Sequence, residues 1–434
     1  GEAAIKTSGN ILNQQSTDLS YLFEIIIFNF FSKVVGYDGT FYYLFSFLTK
    51  MVASFSFFWF LRKIKLSHIA SFLGSLMFMV TPIGIETTDW VRNFDSYLSI
   101  PPFLLALYLS LNLKTKHDSL KIFLLLSIIT LINTTRSHGI ILTIVGVLIV
   151  RSLFVKSYRK VSLLTCFLIT TIYLVVSTTP IFGGQLGGLF QDFNLPTFII
   201  SFLGNFGNSL VPNLKYQLTS FLLINIFIFF WNKHLFPKER MKLLIFVFLY
   251  ILIVALLAIY LTQTPNDFTK SIYIGAFLFF LLVFYLKMEF KKRLFSDLPK
   301  TSLILILGFS FMLMPLIRNP LIHASSEHRY LIFSSLAIPL LISLVINRYA
   351  KIKRKINYFL LAPTLILISI FSLQTFNYLK LQNSAHDISY SNKVWPKLIQ
   401  VFDKYNLPKD QKLSVIILTD QKTYPKVNSS IAFG

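Results

Sequence analysis

The sequence is poor in charge and poorer still in acid. Only 14% of its 434 residues are Asp, Glu, Lys or Arg, and just 18 are acidic. A soluble globular chain carries about 25% charged residues, so this one lacks the charge to solvate a compact surface of its own. Cysteine is almost missing: the single Cys166 excludes intrachain disulfides and thiolate metal clusters. No signal peptide is legible. The chain opens on Gly1 and stops at Gly434 without an evident terminus, and it reads as a fragment or a processed chain.

What the sequence has instead is apolar length. Hydrophobic residues make up 54% and aromatic residues 16%, and single soluble domains rarely grow past roughly 250–300 residues. The expected class is an all-α polytopic membrane protein. A spanning helix needs about 20 mostly apolar residues. Such windows occur near residues 40–61, 66–85, 96–113, 119–134, 138–154 and 161–179, then near 216–231, 241–261, 271–286, 301–317, 330–346 and 356–376. About twelve spans are therefore expected, forming a membrane domain over residues 40–376. Residues 21–35 are apolar but short and interrupted by Glu24 and Lys33, which predicts an interfacial helix within an extracytoplasmic segment, 1–39.

Lys and Arg set the expected orientation. One set of alternate loops, with clusters such as Arg62, Lys63, Lys65 and Arg348, Lys351, Lys353, Arg354, Lys355, holds 24 basic and four acidic residues. The opposite loops hold Arg92, Arg136, Lys215, Lys270, Arg318 and Arg329. The basic side is read as cytoplasmic, and it supplies 20 of the 23 net positive charges. The basicity is thus a topology signal, and nucleic-acid binding is not expected. Fourteen acidic residues fall on the other side.

From about Leu379 the chain turns polar. Helical spacing through Val394, Leu398, Ile399, Phe402 and Tyr405, followed by a strand-like run at 413–419, predicts the opening of an extracytoplasmic α/β domain over 377–434, cut short. Residues 180–214 carry Gly183, Gly184, Gly187, Gly188, Gly204 and Gly207 and are expected to form a re-entrant or interface-lying loop.

Four places draw attention for chemistry. In residues 81–95 (TPIGIETTDWVRNFD), Glu86, Asp89 and Arg92 fall on one helical face beside Trp90, with Asp95 at the next span. Carboxylates there suit sugar hydroxyls or a base, and Trp90 suits stacking on a sugar; the plain alternative is a solvated loop with an interfacial Trp. Arg136 and His138 lie at the outer end of a span, where an arginine suits a lipid phosphate or simply snorkels. Residues 318–330 (RNPLIHASSEHRY) gather Arg318, His323, Glu327, His328 and Arg329; the five-residue His spacing fits no common helical metal pair, so a phosphate clamp is the preferred reading. Lys50 stands near the middle of the first span, at a depth where an ammonium faces the bundle interior or a cavity.

These residues carry a resemblance. Residues 21–62 are similar to the early part of GT-C membrane glycosyltransferases, in particular the protein O-mannosyltransferases (glycosyltransferase family 39) and the transmembrane-and-TPR O-mannosyltransferases, with Lys50 near the family's His. Pro82, Glu86, Trp90 and Asp95 resemble that family's proline-acid-tryptophan loop. Arg136 lies where relatives carry a Lys, and Glu327-His328-Arg329-Tyr330-Leu331 resembles its "ERYL" signature with His328 inserted.

The resemblance implies transfer of a sugar from a polyprenyl-phosphate donor to a protein or glycan acceptor on the trans side of the cell membrane. The family base would lie in an outer loop after a first span upstream of residue 1; Glu86, Asp89 and Asp95 are the weaker candidates within the chain. Lys50, Trp90, Arg92, Arg136, His138, Arg318, Glu327, His328 and Arg329 are the expected substrate-binding residues, and no cofactor or metal ligand is assigned. The alternatives are a transporter or flippase of a lipid-linked or anionic solute, and an envelope polysaccharide ligase or polymerase.

Overall fold

A computed structural model of the chain describes residues 22–34, 39–84, 94–113, 118–133, 140–154, 159–178, 195–211, 216–235, 240–263, 267–291, 331–353 and 358–388. Among these residues the regular structure is helical and no strand occurs. The helices are α1 (Leu22–Val34), α2 (Gly39–Lys63), α3 (His68–Val80), α4 (Phe94–Leu98), α5 (Ile100–Leu111), α6 (Ser119–Asn133), α7 (Ile140–Phe154), α8 (Arg159–Thr178), α9 (Leu195–Leu210), α10 (Gln217–Leu235), α11 (Arg240–Gln263), α12 (Asp267–Lys291), α13 (Ala337–Lys353) and α14 (Tyr358–Ile388). A 3-10 turn, Ser334–Leu336, leads into α13.

The first hairpin sets the geometry of the site. α2 is 25 residues of nearly unbroken apolar and aromatic sequence, with Arg62 and Lys63 in its last turn, where cations favour the negative end of the helix dipole. The chain then reverses. Lys65 takes a left-handed φ of 71°, its N–H bonds to the Arg62 carbonyl at 3.0 Å, and the Leu66 N–H bonds to the Leu61 carbonyl at 3.1 Å. The Arg62 guanidinium donates to the Leu66 carbonyl, closing the turn. α3 returns antiparallel but lasts only 13 residues, about 20 Å at 1.5 Å per residue.

Pro82 is the reason α3 stops. A residue before proline is pushed out of the helical region, and Thr81 accordingly sits at φ −59° and ψ 135°. Gly84 follows at φ +78°, a conformation that favours glycine. Because α3 is short, its end comes level with Lys50, roughly midway along α2.

α3 is enclosed by α2, α13 and α14. Gly74 allows α13 to approach: a Cβ there would overlap the Ser343 hydroxyl. Phe57 and Phe78 meet edge-on at 5.8 Å, and Phe103 meets Phe333 at 6.0 Å. α5 to α8 form an adjoining group, and α9 packs closely on α12. In that last pair a Cβ on Gly207 would overlap the Ser271 carbonyl oxygen, and one on Gly275 the Leu203 carbonyl oxygen. Glycine is required at this crossing because the two backbones touch.

Outward faces are unusually apolar. Phe55, Phe72, Phe123, Phe167, Phe248 and Phe280 are all more than half exposed. Among the described residues, two segments, Leu44–Lys63 and Leu360–Asn377, are long and apolar enough to cross a membrane, and seven further apolar helical stretches are shorter.

Helices occupy the expected apolar windows apart from 301–317, which lies outside the described residues. Four differences stand out. The window at 66–85 is helical only to Val80, because of Pro82. The window at 96–113 breaks at Ser99, since Pro101 and Pro102 suit the first turn of a new helix. The window at 330–346 opens on a 3-10 turn rather than an α-helix. The expected loop at 180–214 contains the 16-residue helix α9, whose Gly207 serves helix packing. α14 runs on to Ile388, and the strand-like run at 413–419 lies outside the described residues.

Gly275→Ala should lower stability by about 1–3 kcal/mol, read as earlier unfolding on denaturant titration of the purified protein. Gly207→Ala should do the same, and the two losses together should fall short of their sum, because both relieve one crossing.

Candidate functional site

Lys50 is the anchor. Its side chain is 2% exposed, and its ammonium donates to the Thr81 carbonyl at 3.2 Å. Thr81 caps the C-terminal end of α3, so the cation sits on the negative pole of a helix dipole. The ammonium also lies 5.8 Å from the centre of the Tyr97 ring, within cation–π range. A charge taken out of water needs such compensation, and here a carbonyl and a ring face provide it.

Tyr97 extends the cluster. Its hydroxyl donates to the Gly84 carbonyl at 2.7 Å, and the Ile83 N–H bonds to the Thr81 hydroxyl at 3.4 Å. On the far side, the Thr375 hydroxyl of α14 donates to the Val80 carbonyl at 2.9 Å. Thr81, Pro82, Ile83 and Gly84 are all buried. The non-helical end of α3 is thus held by α2, α4 and α14 together.

Ile332 closes the junction. A Cβ on Gly84 would overlap the Ile332 side chain, and Leu331 and Ile332 are fully buried. Gly84 immediately precedes residues 85–93, which carry Glu86, Asp89, Trp90 and Arg92. Ile332 comes two residues after Tyr330, at the end of the segment with Arg318, Glu327, His328 and Arg329. Described residues beside two candidate sequence segments therefore meet at one buried point. Those eight residues lie outside the described residues, as do Arg136 and His138. Asp95 stands at the start of α4. The described ends of the Arg136 segment, in α6 and α7, pack with α5 and α8. Lys50 alone among the expected binding residues has a described side chain, and it is buried in the bundle.

Sequence reasoning missed Tyr97 and Thr375, which carry no signal beyond one aromatic and one hydroxyl in apolar runs. Arg151, one of the 24 basic residues of the alternate loops, likewise has a role beyond topology. Arg151 is 5% exposed and donates to the carbonyls of Ser110, at 2.5 Å, and Leu113, at 2.7 Å, closing the C-terminal end of α5.

No protein-family model, curated protein or solved structure matches the chain. The likeness to GT-C enzymes accordingly rests on the sequence motifs alone.

Tyr97→Phe removes the bond to Gly84 and keeps the ring over Lys50. It should lower stability by about 1 kcal/mol, measured by denaturant titration. An unchanged midpoint would mean that the hydroxyl does not hold this turn.

Proposed function

We propose that the chain is a multi-pass membrane protein that transfers a sugar from a polyprenyl-phosphate carrier to an acceptor on the extracytoplasmic side. Several features support a bilayer as solvent. The exposed phenylalanines face outward from helix after helix, a pattern too extensive for a monomeric soluble surface. Tyr260 and Tyr273, with rings 4.9 Å apart, lie near the C-terminal end of α11 and the N-terminal end of α12. Trp59 lies beside Tyr108 and under Lys63 at the basic end of α2. Aromatic pairs of this kind suit the two membrane interfaces. From Arg240 to Tyr260 α11 rises about 30 Å, close to the thickness of a hydrocarbon core.

The observation that carries the transferase reading is the meeting of Gly84 with Ile332. In sequence, Gly84 is followed by the carboxylates and tryptophan of residues 85–93, and Ile332 is preceded by Arg318 and Arg329. In the proposed step a carboxylate takes the proton of an acceptor hydroxyl, whose oxygen bonds to the anomeric carbon. The bond from that carbon to the phosphate oxygen breaks, and the lipid phosphate leaves with the electron pair, its charge met by guanidinium groups. Glu86, Asp89 and Asp95 are the candidate carboxylates within the chain.

One observation favours a second reading, a transporter of a lipid-linked solute. α3 ends inside the bundle, and its buried non-helical end meets the Lys50 cation of α2, as the half-helix ends of transporters meet ions. Proteoliposomes loaded with labelled polyprenyl-phosphate sugar and supplied with a serine- and threonine-bearing peptide as acceptor separate the two. The transferase reading predicts appearance of lipid-free label, reduced about a hundredfold by Arg329→Ala. Label that changes leaflet while still attached to lipid would favour transport; release undiminished by Arg329→Ala and Arg136→Ala would refute the clamp.

Topology has its own check. In a Cys166→Ser background, Lys116→Cys should react with an impermeant thiol reagent only from the cytoplasmic side, and Asn266→Cys only from outside. Reaction of both from one side would overturn the orientation.

A further inference from the structure

α9 presents two unlike faces. Phe202 and Phe206 meet Phe279 of α12 at 5.6 and 5.8 Å, and Leu203 and Gly207 touch that helix through the backbone. At 3.6 residues per turn, Ser201, Asn205 and Asn208 project from the opposite side. That side is enclosed: Ser201 is 3%, Asn205 1% and Asn208 4% exposed. The Ser201 hydroxyl and both amide atoms of Asn205 have no hydrogen-bond partner among the described residues. α9 also packs against the Ser334–Leu336 turn, which continues from the Ile332 that covers Gly84.

Such an arrangement is expensive without a ligand. A buried polar group left unsatisfied costs about 1–3 kcal/mol, and more than about 90% of buried polar groups find a partner. Ser201 and Asn205 are one helical turn apart, so their free atoms form a short row: one hydroxyl, one amide acceptor and one amide donor group. None of the three side chains on this face ionises. A phosphate would present oxygen to the amide oxygen of Asn205, whereas a ligand with alternating donors and acceptors satisfies the whole row.

We infer that Ser201 and Asn205 bind the hydroxyl groups of an uncharged sugar drawn into the bundle, the hexose of the lipid-linked donor. The inference rests on the transferase reading and gives it a sugar subsite separate from the phosphate-binding groups.

The test is a binding titration of the full chain in nanodiscs free of glycolipid, using polyprenyl phosphate, polyprenyl-phosphate glucose and polyprenyl-phosphate mannose. The unaltered protein should bind at least one hexose-bearing lipid about tenfold more tightly than the bare lipid. Asn205→Leu should abolish that preference and leave bare-lipid affinity unchanged. Ser201→Ala, a milder change, should weaken the preference in the same direction. Without lipid, Asn205→Leu should unfold no earlier than the unaltered protein, because it removes an unsatisfied amide. Retention of the preference in both variants, or equal binding of bare and hexose-bearing lipids by the unaltered protein, would overturn the inference and assign the row to buried water. Failure to bind any polyprenyl phosphate would sink the transferase reading itself, and the inference with it.

Discussion

Backbone carbonyls that have no water to turn to organise this molecule. A helix leaves its last four carbonyls without intrahelical partners, and a chain with so few carboxylates has many cations to spare for them. Arg62 reaches the Leu66 carbonyl after α2, Arg151 takes two carbonyls at the end of α5, and Lys50 takes Thr81 at the end of α3. Lys121 adds a bond to the Asn112 carbonyl at 3.4 Å beside its ion pair with Asp118. The partly exposed ion pair contributes little; buried cation–carbonyl bonds matter more, because neither partner has an alternative. The scarcity of acid and the placement of the cations thus have one structural consequence.

Lys50 differs from the other three. Arg62, Lys121 and Arg151 belong to the basic side, where charge is abundant. Lys50 sits level with a helix that ends inside the bundle, because Pro82 stops α3 after 13 residues. The junction it organises joins α2, α3, α4 and α14 to Ile332 and brings together the described residues beside two polar sequence segments. The proposed chemistry depends on that junction: a carboxylate and a guanidinium on separate segments act on one substrate only where those segments are held together. In the same way, the α9 row depends on the Gly207–Gly275 crossing that turns Asn205 inward.

The legible part of the fold was the part written in apolar length. α2, α8, α10 and α11 are long hydrophobic runs bounded by basic residues, and their windows match the helices to within a few positions. Lys50 was legible as one cation in such a run. The end of α3 was not: Pro82 announces a break, but the depth at which it falls depends on the short turn before α3. Gly204 and Gly207 suggested a loop because glycine marks both turns and close helix crossings, and only the partner α12 distinguishes them. Had residues 195–210 been read at helical period, Ser201, Asn205 and Asn208 would have lined up on one face. Tyr97 gave no warning, since its role comes from the positions of Gly84 and Lys50, each brought there by another helix.

The most direct test of the junction is a double-mutant cycle on stability in nanodiscs, pairing Lys50→Met with Tyr97→Leu. If the ammonium, the ring and the end of α3 act as one unit, the two changes should be non-additive, with a coupling of about 0.5–3 kcal/mol. Effects that add to within about 0.3 kcal/mol would place Lys50 and Tyr97 in separate environments and contradict the account.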